Sequence, residues 1–135
     1  MIEVKWRILT EDDPGWNYCR CLYAYLTQNG KEILYVGKAW GTTVRVRWSW
    51  GGKKKFWKDL EKQGGIKRHI PLIGEVYLFQ GQRLTRELLA DVESLLINIE
   101  KPWGNIQSQQ NRISRPRMEV KCTGKWPGRR RYRDV

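Results

Sequence analysis

The 135-residue sequence holds one histidine, three cysteines and five prolines, and it has no long apolar run. A single histidine, His69, excludes two-histidine zinc sites and histidine-rich nuclease motifs. Cys19, Cys21 and Cys122 are odd in number and too few for a disulfide framework. That points to a reducing compartment: the cytoplasm, around the nucleoid in a bacterium, or a nucleus. No stretch approaches the roughly 18 apolar residues that a membrane-spanning helix needs. The start, Met1-Ile2-Glu3-Val4-Lys5-Trp6, lacks the basic-then-apolar order of a secretion signal. Acidic residues are scarce: 14 Asp and Glu face 26 Lys and Arg, a net charge of +12. So strong an excess on so short a chain implies a polyanionic partner, nucleic acid first.

What is present divides unevenly. Residues 106–135 carry nine of the cations against Glu119 and Asp134, with scattered Pro, Gly and Ser. This stretch reads as an extended or irregular basic arm. Residues 1–105 read as one folded α/β body, a small sheet of three or more strands flanked by helices. Strands are expected at 2–9, 20–27, 32–37 and 73–80. In the second, Leu22, Ala24 and Leu26 alternate with Cys21, Tyr23 and Tyr25. Asn29-Gly30 signals a hairpin to the next strand. A short helix is expected from Thr42 to Trp50, broken by Gly51-Gly52, and a second over 53–63. The strongest helix is 84–100, where Leu84, Leu88, Leu89, Val92, Leu95, Leu96 and Ile99 recur at helical spacing.

Glu93 lies on the flank of that apolar stripe, so its carboxylate points to the edge of the core and needs a cation: a metal, an Arg or a Lys. Asp91 and Glu87 face outward. Tyr23, Tyr25 and Tyr35 cluster across the hairpin, followed at once by Lys38, Arg45 and Arg47. A cation beside a tyrosine favours the phenolate, which suits a general base. Arg45 suits a phosphate through two donors, and Lys38 as a point charge.

These residues resemble a known nuclease signature. Cys21-Leu22-Tyr23, then eleven residues, then Tyr35-Val36-Gly37-Lys38-Ala39 is similar to the two tripeptides of the GIY-YIG nucleases. The first tripeptide is degenerate, with Cys21 and Leu22 in place of Gly and Ile. Arg45 falls ten residues after Tyr35, and Asn105 twelve after Glu93. Within the family, these spacings most resemble the incision subunits of bacterial nucleotide excision repair, over residues 19–105. The resemblance implies a divalent-metal-dependent endonuclease that hydrolyses a DNA phosphodiester. Glu93 would hold Mg²⁺ or Mn²⁺, which stabilises the leaving oxygen. Arg45 would bind the scissile phosphate. Tyr23 or Tyr35 would activate the attacking water, with Tyr25 a further option. Lys38 would lower that tyrosine's pKa and hold a phosphate oxygen or a water on the metal. Gly37 would let backbone and substrate approach, and Asn105 would fix the geometry. Relatives often carry His or Tyr four residues after the arginine; here Ser49 stands there, a hydroxyl that is no base at neutral pH.

Three further readings compete. Cys19, Cys21, Cys122 and His69 supply four zinc-ligand types, but a one-residue gap on a strand is not knuckle spacing. Glu3-Val4-Lys5 and Glu119-Val120-Lys121 are similar to the carboxylate–lysine pairs of another nuclease class. A binding module that cleaves nothing, or a structural basic protein, would also explain the charge. For contact with DNA, duplex or branched, or with RNA, the candidates are Arg47, Lys53, Lys54, Lys55, Arg129, Arg130, Arg131 and Arg133. Trp40, Trp48 and Trp50 lie among cations, an arrangement that stacks on bases or simply packs.

Overall fold

The computed structural model describes residues 1–49, 51–65, 68–108 and 118–133, without the side chains of 51–54, 63, 64 and 106–108. Six strands, β1 (Ile2–Ile8), β2 (Arg20–Thr27), β3 (Ile33–Trp40), β4 (His69–Tyr77), β5 (Glu119–Gly124) and β6 (Arg131–Arg133), form one sheet in the order β3-β2-β4-β1-β5-β6. Among the described residues, three α-helices, α1 (Val44–Ser49), α2 (Gly51–Gly64) and α3 (Arg86–Glu100), accompany it. The chain is therefore the mixed α/β fold that its sequence pattern predicts.

Alternation along β2 divides the core in two. Leu22, Ala24 and Leu26 join Val4, Trp6 and Leu72 under α3, which contributes Leu88, Leu89, Val92, Leu95 and Leu96. Cys21, Tyr23 and Tyr25 point to the other face, where Val44 of α1 and Leu60 of α2 pack on them. Thr85 caps α3, its hydroxyl accepting from the Leu88 N–H at 3.1 Å, and Lys101 ends it in the left-handed region at φ 49°. The β2–β3 turn uses both signalled residues: Asn29 Oδ1 accepts from the Lys31 N–H at 3.0 Å, and Gly30 takes φ 74°.

Several expectations need correction. The 106–135 arm is not irregular where it is described. β5 pairs parallel with β1, β6 pairs antiparallel with β5, and Met118, Val120, Cys122, Trp126 and Tyr132 are buried. Trp126 stacks on Trp6 at 4.3 Å between ring centroids. Its indole N–H donates to the Tyr132 hydroxyl (2.7 Å), which donates to Glu100 of α3 (2.6 Å). The cations on alternate positions had masked a period-2 strand. Gly51-Gly52 does not end a helix but begins α2. The strand expected over 73–80 lies earlier, at 69–77, so His69 is half-buried at the head of β4. Its Nε2 accepts from the Trp48 indole at 3.2 Å, and its ring stacks on Trp57 at 4.1 Å.

Candidate active site

β3 is an edge strand, and residues from both sheet faces gather around it. Tyr35 and Tyr25 sit opposite each other on β3 and β2, as do Gly37 and Tyr23. The three tyrosine rings lie 5.6–6.0 Å apart. Tyr25 is buried further in, against Phe56 and Trp57 of α2. Tyr23 is also buried, whereas Tyr35 retains access to solvent. The Tyr23 ring occupies the place a side chain at position 37 would need, so a Cβ on Gly37 would collide with it. Gly37 thus makes room for a tyrosine, a correction to the expectation that it admits substrate.

Asn105 completes the edge. Its Oδ1 accepts from the Val36 N–H and its Nδ2 donates to the Val36 carbonyl, both at 2.9 Å. The amide serves as a one-residue neighbour strand and holds Val36, the residue between Tyr35 and Gly37.

The arginine is where the reading changes. Arg47, not Arg45, turns toward the tyrosines. Its guanidinium faces the Tyr23 hydroxyl, and its charge also reaches Tyr35 and Glu93. Arg45 is exposed, its guanidinium 5.4 Å over the Trp16 ring. Two residues on a helix are about 200° apart, so only one of the pair can face inward. Val44 and Trp48 mark the covered side of α1 but flank both arginines equally, Arg45 one and three residues away and Arg47 three and one, so the sequence pattern does not choose between them. Ser49 is outside the cluster, its hydroxyl donating to the Arg45 carbonyl at 2.9 Å.

From the α3 side, Glu93 approaches the same edge with its side chain 18% exposed, and Lys38 Nζ lies 3.6 Å from its carboxylate. Lys38 therefore neutralises Glu93 and not a phenol. The tyrosine hydroxyls are not acidified as expected. Burial pushes Tyr23, Tyr25 and Tyr35 all above the ordinary value of 10. At Tyr35, hydrogen bonding with Tyr23 and the Arg47 charge favour the phenolate, while Glu93 opposes it. Asp91 is a further correction: at 7% exposure it is buried, because it lies between Leu88 and Leu95 at helical spacing on the covered arc of α3.

The remaining candidates are distributed elsewhere. Lys53 and Lys54 lie outside the described side chains, and Trp50 outside the described residues. Lys55, Arg129, Arg130, Arg131 and Arg133 are exposed. Trp48 packs on Trp16 and His69, and Trp40 lies beneath Arg20, so both are packing residues. The zinc quartet is dispersed: Cys21 and Cys122 are buried on opposite sheet faces, each thiol pushed up to about 12 chiefly by burial. Among the described residues, no group of three or more His, Cys, Asp or Glu is arranged around a metal. In the two Glu-x-Lys triplets, Glu3 accepts from Thr123 (3.2 Å) and Glu119 pairs with Arg131 (3.5 Å). Among the described residues, Glu93 offers a carboxylate at the tyrosine edge, which fits Mg²⁺, a cation commonly held by one or two carboxylates with waters and substrate phosphate.

The chain matches no protein-family model, no curated protein and no solved structure.

Proposed function

We propose that the protein is a divalent-metal-dependent endonuclease of the GIY-YIG type, hydrolysing DNA phosphodiester bonds. One observation carries the reading: Tyr23, Tyr35, Arg47, Lys38 and Glu93, from two strands and helices on both faces, converge on the edge pinned by Asn105. Mg²⁺ or Mn²⁺ on Glu93 would stabilise charge on the leaving oxygen. Arg47 binds the scissile phosphate and offsets charge that builds on it. Tyr35, the solvent-accessible tyrosine, takes the proton of the attacking water. Tyr23 and Arg47 favour its phenolate. Lys38 holds the Glu93 carboxylate in place and neutralises it until substrate arrives.

A second reading is a nucleic-acid-binding module that cleaves nothing. It is favoured by the Lys38–Glu93 pair, which already satisfies the carboxylate, and by burial that keeps the tyrosines protonated. The test is incubation with supercoiled plasmid and with labelled duplex, branched and single-stranded DNA, in Mg²⁺, Mn²⁺ or EDTA. Cleavage that requires metal and disappears in Glu93→Ala supports the nuclease. Intact, salt-sensitive binding without cleavage supports the module.

A further inference from the structure

The sheet has one open face. On the α3 side every strand from β2 to β6 is buried. On the other side, α1 and α2 cover β2 and β3, and among the described residues no element covers β1, β5 and β6. The registers lay out what this open face presents. Tyr77, Glu3, Lys121 and Arg131 form one row across β4, β1, β5 and β6. Glu75, Lys5 and Thr123 form the next, and Glu119 with Arg133 a third. On these rows Lys5, Lys121, Arg131 and Arg133 stand against Glu3, Glu75 and Glu119, and Lys125, Arg129 and Arg130 are exposed on the adjoining β5–β6 connection. The ion pairs of Arg131 and Arg133 with Glu119 are long, 3.5 and 3.7 Å, and these arginine side chains are 59% and 69% exposed. Such pairs hold little and yield readily to a stronger anion.

We infer that this open β1-β5-β6 face is a docking surface for the backbone of duplex DNA, remote from the cleaved bond. The choice of DNA rests on the nuclease reading; the docking itself does not. Single-stranded nucleic acid would need aromatic platforms for its bases. The one aromatic on these rows, Tyr77, is already covered by Lys5 at 4.5 Å and donates to Glu75 at 3.1 Å. Cations without free rings suit phosphates. β6 is five strand spacings from β3, about 24 Å at ~4.8 Å per strand. At ~3.4 Å per base pair that is roughly seven base pairs. A duplex is stiff over such a span and reaches both edges of the sheet at once.

The test uses Glu93→Gln protein throughout, so that binding is read without cleavage. Anisotropy with 24-base-pair duplex and 24-base single-stranded DNA, from 50 to 300 mM salt, gives affinity and its salt slope. In Lys121→Gln/Arg131→Gln/Arg133→Gln, the duplex slope should fall by about 2 to 3, near 0.9 per lost phosphate contact. Glu119→Gln, which removes the competing carboxylate, should bind duplex several-fold tighter, and it tests the face even where the triple variant fails to fold. Unchanged slopes in the folded triple variant, unchanged affinity in Glu119→Gln, or preference for the single strand would each overturn the inference. Cleavage by the parent protein with an indifferent triple variant removes the docking surface and leaves the nuclease. Duplex docking without cleavage does the reverse.

Discussion

Asn105 gives the sharpest test of how the edge is held. The side chain is 4% exposed, and it satisfies both polar groups of Val36 at 2.9 Å. Asn105→Ala removes both partners together. A buried backbone group left unpaired costs about 1–3 kcal/mol. The groups are buried, but the space left by the side chain at the sheet edge can take a water that partners them in part, so the lower half of that range applies to each, about 2–4 kcal/mol in all. For a chain of this length that lowers Tm by on the order of 10 °C. Asn105→Asp separates the two bonds. A carboxylate still accepts from the Val36 N–H but is set against the Val36 carbonyl, and only its proton restores a donor. Burial and that repulsion raise the folded-state pKa above the ~3.9 of the unfolded chain. A folded value above the unfolded one means that stability is fully present below about pH 4 and is lost as pH rises through the folded pKa. Thermal melts at pH 4, 5.5 and 7 should therefore show the Asp variant closing on the parent as pH falls, while the Ala variant stays behind at every pH. An Ala variant within about 1 kcal/mol of the parent, or a gap for Asp that ignores pH, would refute the account.

Three further outcomes are expected. Arg47→Ala should lower single-turnover cleavage by about 10²–10³-fold, the usual cost of one transition-state donor, and Arg45→Ala by only a few-fold; the reverse ranking would return the phosphate to Arg45. Because burial holds Tyr35 above its ordinary value, the log rate should climb with a slope near one from pH 7 to 9, and Tyr35→Phe should be slow and flat over that range. Burial depresses the folded pKa of His69 below 6.5, so its contribution is complete above 6.5 and is lost as pH falls through the folded value. Melting temperature should thus drop more between pH 7.5 and 5 in the parent than in His69→Gln, and parallel curves would remove the Trp48–His69 bond as the cause.

Legibility in the sequence followed the number of residues that share one pattern. α3 and β2 were readable because many apolar positions repeat one period, and burial of that stripe outweighs any single misfit. The same rule fails when few residues carry the signal. β5 offers only Val120 and Cys122 on its buried face, with charged Glu119 and Lys121 alternating beside them. What places those strands is a set of distant contacts, Trp126 on Trp6 and Tyr132 on Glu100, which no local window contains. The arginine shows a subtler limit. Counting residues from Tyr35 reached Arg45 because spacing along a loop is elastic, whereas spacing on a helix face is not. Val44 and Trp48 mark which side of α1 is inside, but Arg45 and Arg47 flank that side equally, and what distinguishes Arg47 is its contact with Tyr23. Glu93 on its long helix and Asn105 twelve residues beyond it both lie at the β3 edge. Position on a packed helix face was therefore readable, whereas the choice between two residues that flank such a face waits on a contact from another element, here Tyr23 on β2.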